Sequence, residues 1–315
     1  MLYLYFACLF YYCVCEVKII SREIDITVII PTYNSEKYIS RVLYALYETG
    51  TYFPRQVIVV DGESKDYTVE KAREYPVEVL PNPKISAADA RNIGIRFSRG
   101  DIIAFTDSDC VPDKYWLENI FNRFKNNPEL VGMGGKMLPF EPKNNIETFS
   151  ANIFLNEIMK FPEQAFKPSE KFLPGSFITA NCAYRKEVLI EVRGFNEFFK
   201  NNGEDIDLFW RIIDKFPGNL LYDPSIIVYH SFPDSYIKLA KKYFQYGIAS
   251  SKLAKFHLKT PSIDFFVYKK LLKHFIKLMN PLNSHGEVDL LYLIQLTSHI
   301  LGKVYGSIIV RRLNL

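Results

Sequence analysis

Cysteine is scarce in this 315-residue chain, and its few cysteines show no paired spacing. Three of the five are crowded at Cys8, Cys13 and Cys15, while Cys110 and Cys182 are isolated. This arrangement argues against a disulfide-stapled fold and lacks the C-x-x-C pairs of a structural zinc site. We therefore expect the chain to work in a reducing compartment.

Two glycine-rich nucleotide motifs are also missing. No G-x-G-x-x-G follows the first strand-like run, and no G-x-x-x-x-G-K-[ST] occurs anywhere in the chain. Their absence disfavours a dinucleotide-binding fold and a P-loop NTPase. Wholesale disorder is excluded as well, because a composition of 48% hydrophobic and 15% aromatic residues supplies ample apolar surface for a core.

Acidic residues become rare after residue 235. Residues 236–315 hold 13 Lys+Arg and 3 Asp+Glu, a net charge of +10, whereas the first 235 residues carry −6. We treat 236–315 as a basic, amphipathic helical extension. Its lysines accompany an apolar stripe and no spaced aromatic platform, so we expect no nucleic-acid binding.

One helical pattern in the extension combines an apolar stripe with lysines on its other side. The stripe consists of Tyr268, Leu271, Leu272, Phe275, Ile276 and Met279. Two interpretations stay open, a helix lying in a membrane surface and a helix packed on the main domain. The later apolar segment, 290–310, is predicted to be amphipathic because Gln295, His299 and Lys303 interrupt it.

The first 22 residues are strongly apolar, and residues 1–15 carry no charge. A helix of that length covers about 22 Å of the roughly 30 Å that a bilayer core requires. A signal peptide is a poor match, because a basic start and a small-residue cleavage site are both missing. Residues 1–22 are therefore interpreted either as a short membrane-touching anchor or as a packed or dispensable leader.

Short β-branched runs alternate with helical patterns between residues 23 and 235. The strand-like runs are 25–31, 56–61, 77–80, 101–107 and 130–136. The helical patterns include 35–47, 87–98 and 113–125. This alternation predicts an α/β fold with a mostly parallel sheet and helices on both faces. Ligands of such sheets bind outside the carboxyl ends of the strands.

Polar residues follow three of the predicted strands directly. They are the Pro31-Thr32-Tyr33-Asn34 segment, Asp61, and the Asp107-Ser108-Asp109 segment. We expect all three groups on one rim of the sheet. The paired carboxylates suit Mg²⁺ or Mn²⁺ with positions left open for phosphate oxygens, although a D-x-D can also simply cap a turn.

Several other polar residues allow both a structural and a chemical interpretation. Glu204 and Asp205 begin a helix after Gly203, where the helix dipole alone favours acids. His230 ends a strand-like run as either a core histidine or a metal ligand. Arg91 lies near a helix start, where it could meet an anion.

Six segments, in this order, resemble a family 2 glycosyltransferase. They are PTYN at 31–34, VDGESKD at 60–66, ARNIGI at 90–95, FTDSDC at 105–110, TANCAYRKEVLIEVRGFNE at 179–197 and GEDIDLFWRI at 203–212. The resemblance covers residues 25–232. It implies a GT-A fold over residues 23–235, in which a nucleotide-binding α/β half precedes an acceptor-binding half.

The resemblance also implies a donor pocket. In it Pro31, Thr32 and Tyr33 would line the nucleotide site, and Asp61 would hydrogen-bond the base. Arg91 would lie near the base or the diphosphate. The nucleobase preference stays open, because the acid that often follows PTYN is replaced here by a serine.

The same resemblance implies a Mn²⁺ or Mg²⁺ site. Asp107, Ser108 and Asp109 match the family's D-x-D motif on the donor side. In that motif Asp107 contacts the ribose or the metal, and Asp109 is the more direct ligand. His230 matches a position that completes the metal site in some members.

For catalysis, Asp205 resembles the general base that deprotonates the acceptor hydroxyl, and Glu204 is the close alternative. Asn181, Tyr243 and Tyr246 are the expected acceptor contacts, with ordinary helix packing as the alternative explanation for the two tyrosines.

The resemblance implies an inverting, metal-dependent enzyme that uses a nucleotide-diphosphate sugar. Single-sugar transfer is expected because no Q-x-x-R-W follows the acidic helix. The expected acceptor is a lipid-linked or surface glycan, reached from the cytoplasmic face of a membrane by a peripherally bound protein. The alternatives are a nucleotidyltransferase of the same fold and a non-catalytic nucleotide-sugar or glycan-binding subunit.

Overall fold

The computed structural model describes residues 24–168, 177–200, 202–257, 265–280 and 285–311. The interpretation of residues 1–22 lies outside the described residues. The described strands are β1 Ile26–Thr32, β2 Gln56–Asp61, β3 Glu78–Pro81, β4 Ile102–Phe105, β5 Cys110–Pro112, β6 Gly132–Pro139, β7 Cys182–Arg185 and β8 Leu220–His230.

Ten α-helices accompany these strands in the described part of the chain. They are α1 Ile39–Tyr44, α2 Thr68–Ala72, α3 Ala87–Phe97, α4 Trp116–Asn126, α5 Asn145–Asn152, α6 Lys186–Glu191, α7 Glu204–Lys215, α8 Tyr236–His257, α9 Phe265–Leu278 and α10 Gly286–Val310. Helices α1 and α5 each continue into a π-helical turn, at Ala45–Thr49 and Ile153–Met159.

The strands form one eight-stranded sheet in the order β3-β2-β1-β4-β7-β6-β8-β5. Strands β3, β2, β1 and β4 are parallel neighbours, as are β6 and β8. Strand β7 lies antiparallel between β4 and β6, and β5 is antiparallel to β8. The predicted α/β architecture is therefore confirmed, with antiparallel insertions in the second half of the sheet.

Alternating side chains of β1 show how the sheet is covered on both faces. Val28 and Ile30 belong to one buried cluster, which also contains side chains of α1 and α4. Ile29 points the other way, into a cluster with side chains of α3, α6 and α7. Full burial of each aliphatic side chain is worth about 1.5–3 kcal/mol. Helix α3 packs closely because a Cβ at Gly94 would lie only 2.5 Å from Cγ2 of Ile29.

Helices α8 and α10 of the extension cross with their backbones almost touching. A Cβ on Gly247 would lie 2.2 Å from the carbonyl oxygen of His299, and one on Gly302 would lie 2.0 Å from that of Phe244. Only glycine permits such an approach. Ser251 also donates a hydrogen bond from Oγ to the carbonyl of Lys303 at 2.9 Å.

Helix α9 packs on α10 through its polar side. The His274 ring stacks on Tyr292 with centroids 4.0 Å apart, and its Nδ1 lies 2.6 Å from Oδ1 of Asp289. The predicted apolar stripe faces outward instead, since Leu272, Phe275, Ile276 and Met279 are all exposed. Packing of that stripe on the main domain was thus the wrong alternative.

Within the described residues, α10 is the one helix long and apolar enough, by composition, to cross a membrane. Its Gln295 and Lys303 side chains are buried in the fold. Core helices of globular proteins pass the same test of length and composition. We keep as a proposal the division into a domain at 23–235 and an extension at 236–315.

Candidate active site

A cleft of about 1300 Å³ opens at the carboxyl ends of β1 and β4, and helices α8 and α10 form its opposite wall. It is lined by twelve of the fourteen residues to which the sequence analysis gave a donor, metal, catalytic or acceptor role. They are Pro31, Thr32, Tyr33, Arg91, Asp107, Ser108, Asp109, Glu204, Asp205, His230, Tyr243 and Tyr246. The expected convergence on one rim is therefore what the structure shows, with Asp61 and Asn181 set outside the lining.

The loops after β1, β2 and β4 are held together by short polar contacts. The backbone N–H of Asn34 donates to Oγ of Ser64 at 2.8 Å, and that hydroxyl donates to Oδ1 of Asp61 at 2.6 Å. The hydroxyl groups of Ser35 and Ser108 lie 2.8 Å apart. Through Ser64, Asp61 thus holds the loop that follows β1 in place. A contact between Asp61 and a nucleobase stays a prediction.

Arg91 connects the D-x-D loop to the acidic helix. Its Nη2 donates to Oδ1 of Asp107 and its Nη1 to Oε1 of Glu204, both at 2.7 Å. The guanidinium is almost fully buried and lies over the Phe195 ring. A buried cation is tolerated only when it is paired. These two carboxylates keep the pKa of Arg91 above its ordinary value, even though burial opposes this.

The two acids at the start of α7 differ in their partners. Gly203 adopts φ +88°, a left-handed conformation that suits glycine, and the helix begins with the next residue. Burial raises the pKa of Glu204 to about 7, and one of its oxygens is bound to Arg91. Burial also raises the pKa of Asp205, and the positive charge of Arg91 opposes this rise. Asp205 accepts only the backbone N–H of Ile206 within the described structure.

Asp109 and His230 provide the most suitable metal donors of the cleft. Nε2 of His230 lies 3.6 Å from Oδ1 of Asp109, and these atoms lie within 4.8 Å of Sγ of Cys110. Burial lowers the pKa of His230 to about 3, so the imidazole is neutral and can act as a ligand. Its Nδ1 is buried without a hydrogen-bond partner among the described residues. One oxygen of Asp107 is taken by Arg91, which leaves the other for a metal or a ribose.

Lys242 of α8 brings a cation to the same region. Its Nζ lies 5.8–5.9 Å from the ring centroids of Phe154, Phe232 and Tyr246. Burial lowers its pKa, whereas the charges of Asp109 and Asp107 raise it. A cation opposite the D-x-D acids is placed to meet a phosphate group.

The sequence analysis named the segment that contains Lys242 but did not predict that α8 and α10 together form one wall of the cleft. The cleft-facing residues of α8 include Lys242, Tyr246, Ser250 and Leu253. This i, i+4, i+8, i+11 spacing marks one helix face. The sequence shows the face, but no local signal shows that it meets the acidic helix. The contributions of Trp210 and Gln295 were missed for the same reason.

Asn181 has a structural role in place of the expected acceptor contact. Its Oδ1 accepts the indole N–H of Trp116 at 2.8 Å, and its Nδ2 donates to the carbonyls of Lys136 and Ile226. The side chain is completely buried and does not line the cleft. The T-A-N-C segment thus secures the sheet beneath the site.

Replacing this asparagine should therefore affect stability. We expect Asn181→Ala to lower the free energy of unfolding by about 3 kcal/mol, because three buried groups lose their partner at about 1 kcal/mol or more each. Urea denaturation measures the change. An Asn181→Ala protein of unchanged stability with a raised acceptor KM would restore the acceptor role.

The fold is that of GT-A glycosyltransferases. Glucosyl-3-phosphoglycerate synthase from Mycobacterium tuberculosis, solved with Mn²⁺, UDP-glucose and glycerol 3-phosphate, matches with a TM-score of 0.54 and 15% identity, covering 73% of this chain and 79% of that one. TarS 1–349 from S. aureus matches with a TM-score of 0.52 and 16% identity, covering 89% and 90%.

Sequence comparison defines the family. The model of "Glycosyl transferase family 2" matches residues 27–193, which is more than half of the chain, and the chain belongs to that family. Pre-mycofactocin glycosyltransferase from Mycobacterium tuberculosis is 29% identical over 245 residues, covering 74% of this chain. A relative from Methanococcus voltae is named dolichyl N-acetyl-alpha-D-glucosaminyl phosphate 3-beta-D-2,3-diacetamido-2,3-dideoxy-beta-D-glucuronosyltransferase. It is 22% identical, and the match covers 73% of this chain and 74% of that relative. The chain spans about half of the length of the mycobacterial relative, 48%.

Proposed function

We propose that this chain is an inverting, metal-dependent glycosyltransferase that moves one sugar from a nucleotide diphosphate to an acceptor hydroxyl. The observation that carries the proposal is the Arg91 bridge. It holds Asp107 of the D-x-D loop and Glu204 of α7 in one cleft. The same bridge leaves Asp205 beside the cleft without an ion-pair partner in the described structure.

Asp205 is proposed to act as the general base. It accepts the proton of the acceptor hydroxyl as that oxygen attacks the anomeric carbon, and the bond to the diphosphate breaks on the opposite side. Inversion follows from this single displacement. Carboxylates serve this role when they lie within hydrogen-bond reach of the hydroxyl and are ionised at the working pH. Burial raises the pKa of Asp205, and the charge of Arg91 opposes that shift by favouring the ionised form.

Asp109 and His230 would hold the Mn²⁺ or Mg²⁺ ion, with the second oxygen of Asp107. Oxygen and neutral imidazole donors fit this type of ion. When bound, the ion would neutralise charge on the departing diphosphate. Lys242 adds a positive charge on the opposite wall, which assists the same separation of charge.

Relatives support the proposed donor and acceptor classes. The mycobacterial synthase was solved with UDP-glucose and Mn²⁺. Two archaeal relatives carry dolichyl-phosphate acceptors in their names. We propose a nucleotide-diphosphate sugar as donor and a lipid-linked or surface glycan as acceptor. Transfer of one sugar per encounter agrees with the lack of a Q-x-x-R-W motif.

Calorimetric titration of UDP-, GDP-, dTDP- and CDP-sugars, with and without Mn²⁺, tests the proposal. Binding of one nucleotide class that requires metal, followed by turnover with a lipid-linked glycan, is the expected result. Metal-dependent binding without turnover on any acceptor would favour a non-catalytic binding subunit. Absence of binding would reject the donor site.

The exposed face of α9 supports peripheral binding to an anionic bilayer at the cytoplasmic surface. Leu272, Phe275, Ile276 and Met279 are exposed on this helix, and Lys273 is exposed among them. Apolar groups enter the headgroup boundary while each nearby lysine adds about 1 kcal/mol of attraction to anionic lipid. The +10 charge of residues 236–315 complements such a surface.

We expect the double variant Phe275→Ser, Ile276→Ser to reduce partitioning onto phosphatidylserine vesicles at least tenfold, as measured by sedimentation. Both side chains are exposed in the free protein and would be partly buried in the bilayer, and the loss of two such apolar groups accounts for an effect of this size. The matched control is Phe97→Ser, Ile190→Ser, since Ile190 and Ile276 are both 61% exposed. Equal partitioning of the two double variants, or a concentration-dependent dimer that buries α9, would contradict the membrane assignment.

A further inference from the structure

One residue of the cleft has a backbone conformation that its side chain disfavours. Ile85 lies in the loop after β3 and has φ +50°, in the left-handed region. Among the described non-glycine residues with positive φ, it is the one with a β-branched side chain. For such a side chain this conformation is a genuine outlier, and outliers of this kind cluster at ligand-binding positions. Ile85 is therefore a candidate for a role in binding.

The loop around Ile85 is held by contacts on both sides of this residue. The backbone N–H of Ile85 donates to the carbonyl of Asn82 at 3.2 Å, and Nδ2 of Asn82 donates to the carbonyl of Ser86 at 2.9 Å. Nζ of Lys84 lies 2.6 Å from Oδ1 of Asp89 in α3. An unfavourable conformation persists when its surroundings fix it in this way.

The side chain of Ile85 reaches the alpha carbon of Gly62, next to Tyr33. A Cβ on Gly62 would lie 3.5 Å from Cγ2 of Ile85 and also 3.5 Å from Cδ2 of Tyr33. All three residues line the cleft, in which Ile85 is 42% exposed and Tyr33 is 52% exposed. Two uncovered apolar side chains therefore border the space that the missing side chain of Gly62 leaves.

The position of this space in the sheet matches the nucleoside end of a donor. Gly62 and Ile85 follow β2 and β3, whereas the D-x-D loop follows β4. In the sheet order β3-β2-β1-β4, strand β1 separates these two groups. A diphosphate bound to a metal would lie at the D-x-D loop, which leaves the ends of β2 and β3 for the nucleoside.

We propose that Ile85, together with Tyr33, binds a face of the donor's nucleobase in the space above Gly62. A nucleobase has polar edges and two π-faces, and these faces can cover apolar side chains. The inference rests on the proposed function and adds Ile85 as a residue that sets donor affinity. A residue that binds a ligand can retain a strained conformation, because function is kept at some expense of stability.

Stability and donor affinity should change in opposite directions in Ile85→Gly and in Ile85→Asn. Glycine and asparagine both tolerate a left-handed backbone, so the melting temperature should rise by about 2 °C. Each variant also loses the aliphatic contact, so the dissociation constant of the nucleotide diphosphate should increase about tenfold. Calorimetric titration of UDP, GDP, dTDP and CDP in Mn²⁺ measures the affinity, and scanning calorimetry measures the melting temperature.

Two control variants separate the side chain from the backbone. Ile85→Leu keeps an aliphatic group of the same size and should bind the nucleotide about as tightly as the natural chain. Glu141→Gly changes another residue of positive φ, +38°, which is exposed and lies outside the cleft lining. Its melting temperature should not fall, and its donor affinity should be unchanged.

Titration of pyrophosphate in Mn²⁺ separates the nucleobase from the diphosphate. Pyrophosphate has no base, so its affinity should be the same in the natural chain, Ile85→Gly and Ile85→Asn. An equal loss for nucleotide and pyrophosphate would mean that the whole site is disturbed, and it would overturn the inference. Nucleotide affinity that is unchanged in both variants would reject the inference alone, whereas a natural chain that binds no nucleotide diphosphate would reject the proposed function as well.

Discussion

Asp205→Asn should leave nucleotide-sugar binding intact and reduce the transfer rate by 10²–10⁴-fold, the usual contribution of a positioned general base. Asparagine has the size of aspartate but cannot take the acceptor proton. Calorimetry with the donor and single-turnover product formation measure the two quantities separately. A fall in kcat with an unchanged donor dissociation constant is the expected combination.

The contacts of the acids explain why Asp205 is chosen over its neighbour. Glu204 uses one oxygen for Arg91, and burial raises its pKa to about 7. It is thus partly protonated at neutral pH and tied to a buried cation. Burial raises the pKa of Asp205 too, but within the described structure Asp205 makes no hydrogen bond to Arg91, and it faces the cleft. Glu204→Gln should therefore disturb the Arg91 bridge, and with it donor binding as well as turnover.

Asp214→Asn is the matched control for the first prediction. Asp214 is an exposed aspartate near the other end of α7 and does not line the cleft. It should turn over like the natural chain. Normal turnover in Asp205→Asn would move the base to Glu204 or to another residue.

The second large effect is expected at the metal site. In the presence of Mn²⁺, Asp109→Ala should reduce the affinity for the nucleotide sugar by about 10²-fold or more. The remaining affinity should equal that of the natural chain measured in EDTA, which removes the metal. Losing even an outer partner of a metal ligand costs 10–100-fold in metal affinity, and a direct ligand should cost more. Titration of the donor at several Mn²⁺ concentrations tests this.

Asp234→Ala is a suitable comparison, because the side chains of Asp109 and Asp234 are both 38% exposed. Asp234 forms a surface ion pair with Lys238, which contributes little to stability. Its replacement should leave Mn²⁺-dependent binding unchanged. Equal donor affinity in Asp109→Ala and the natural chain would reject the metal assignment.

The donor half of the site could be predicted from the sequence because its residues follow strands. The carboxyl ends of neighbouring parallel strands β1 and β4 must meet at one edge, so the loops at Pro31 and Asp107 were certain to converge once the strands were recognised. The helix that begins at Glu204 was also visible from its acids and its apolar period. Such features depend on local patterns and on a general rule of sheet topology.

The cleft wall formed by α8 and α10 could not be predicted because it depends on contacts between distant segments. Gln295 reaches the cleft only because α10 crosses α8 at Gly247 and Gly302, and α8 covers the start of α7. Asn181 illustrates the opposite error. It was expected to contact the acceptor, whereas its bond to Trp116 depends on the packing of α4 under the sheet.

The close crossing of α8 and α10 also has a mechanical consequence. Since their backbones touch at Gly247 and Gly302, neither helix can slide or tilt alone without a steric collision. Any widening of the cleft to admit a bulky substrate must therefore move α8 and α10 together as one rigid unit. Helix α9, with its outward apolar face, moves with them because His274 contacts Asp289 of α10. Binding of that face to a membrane surface would then restrict the movement of these three helices and so limit how wide the cleft opens for substrates.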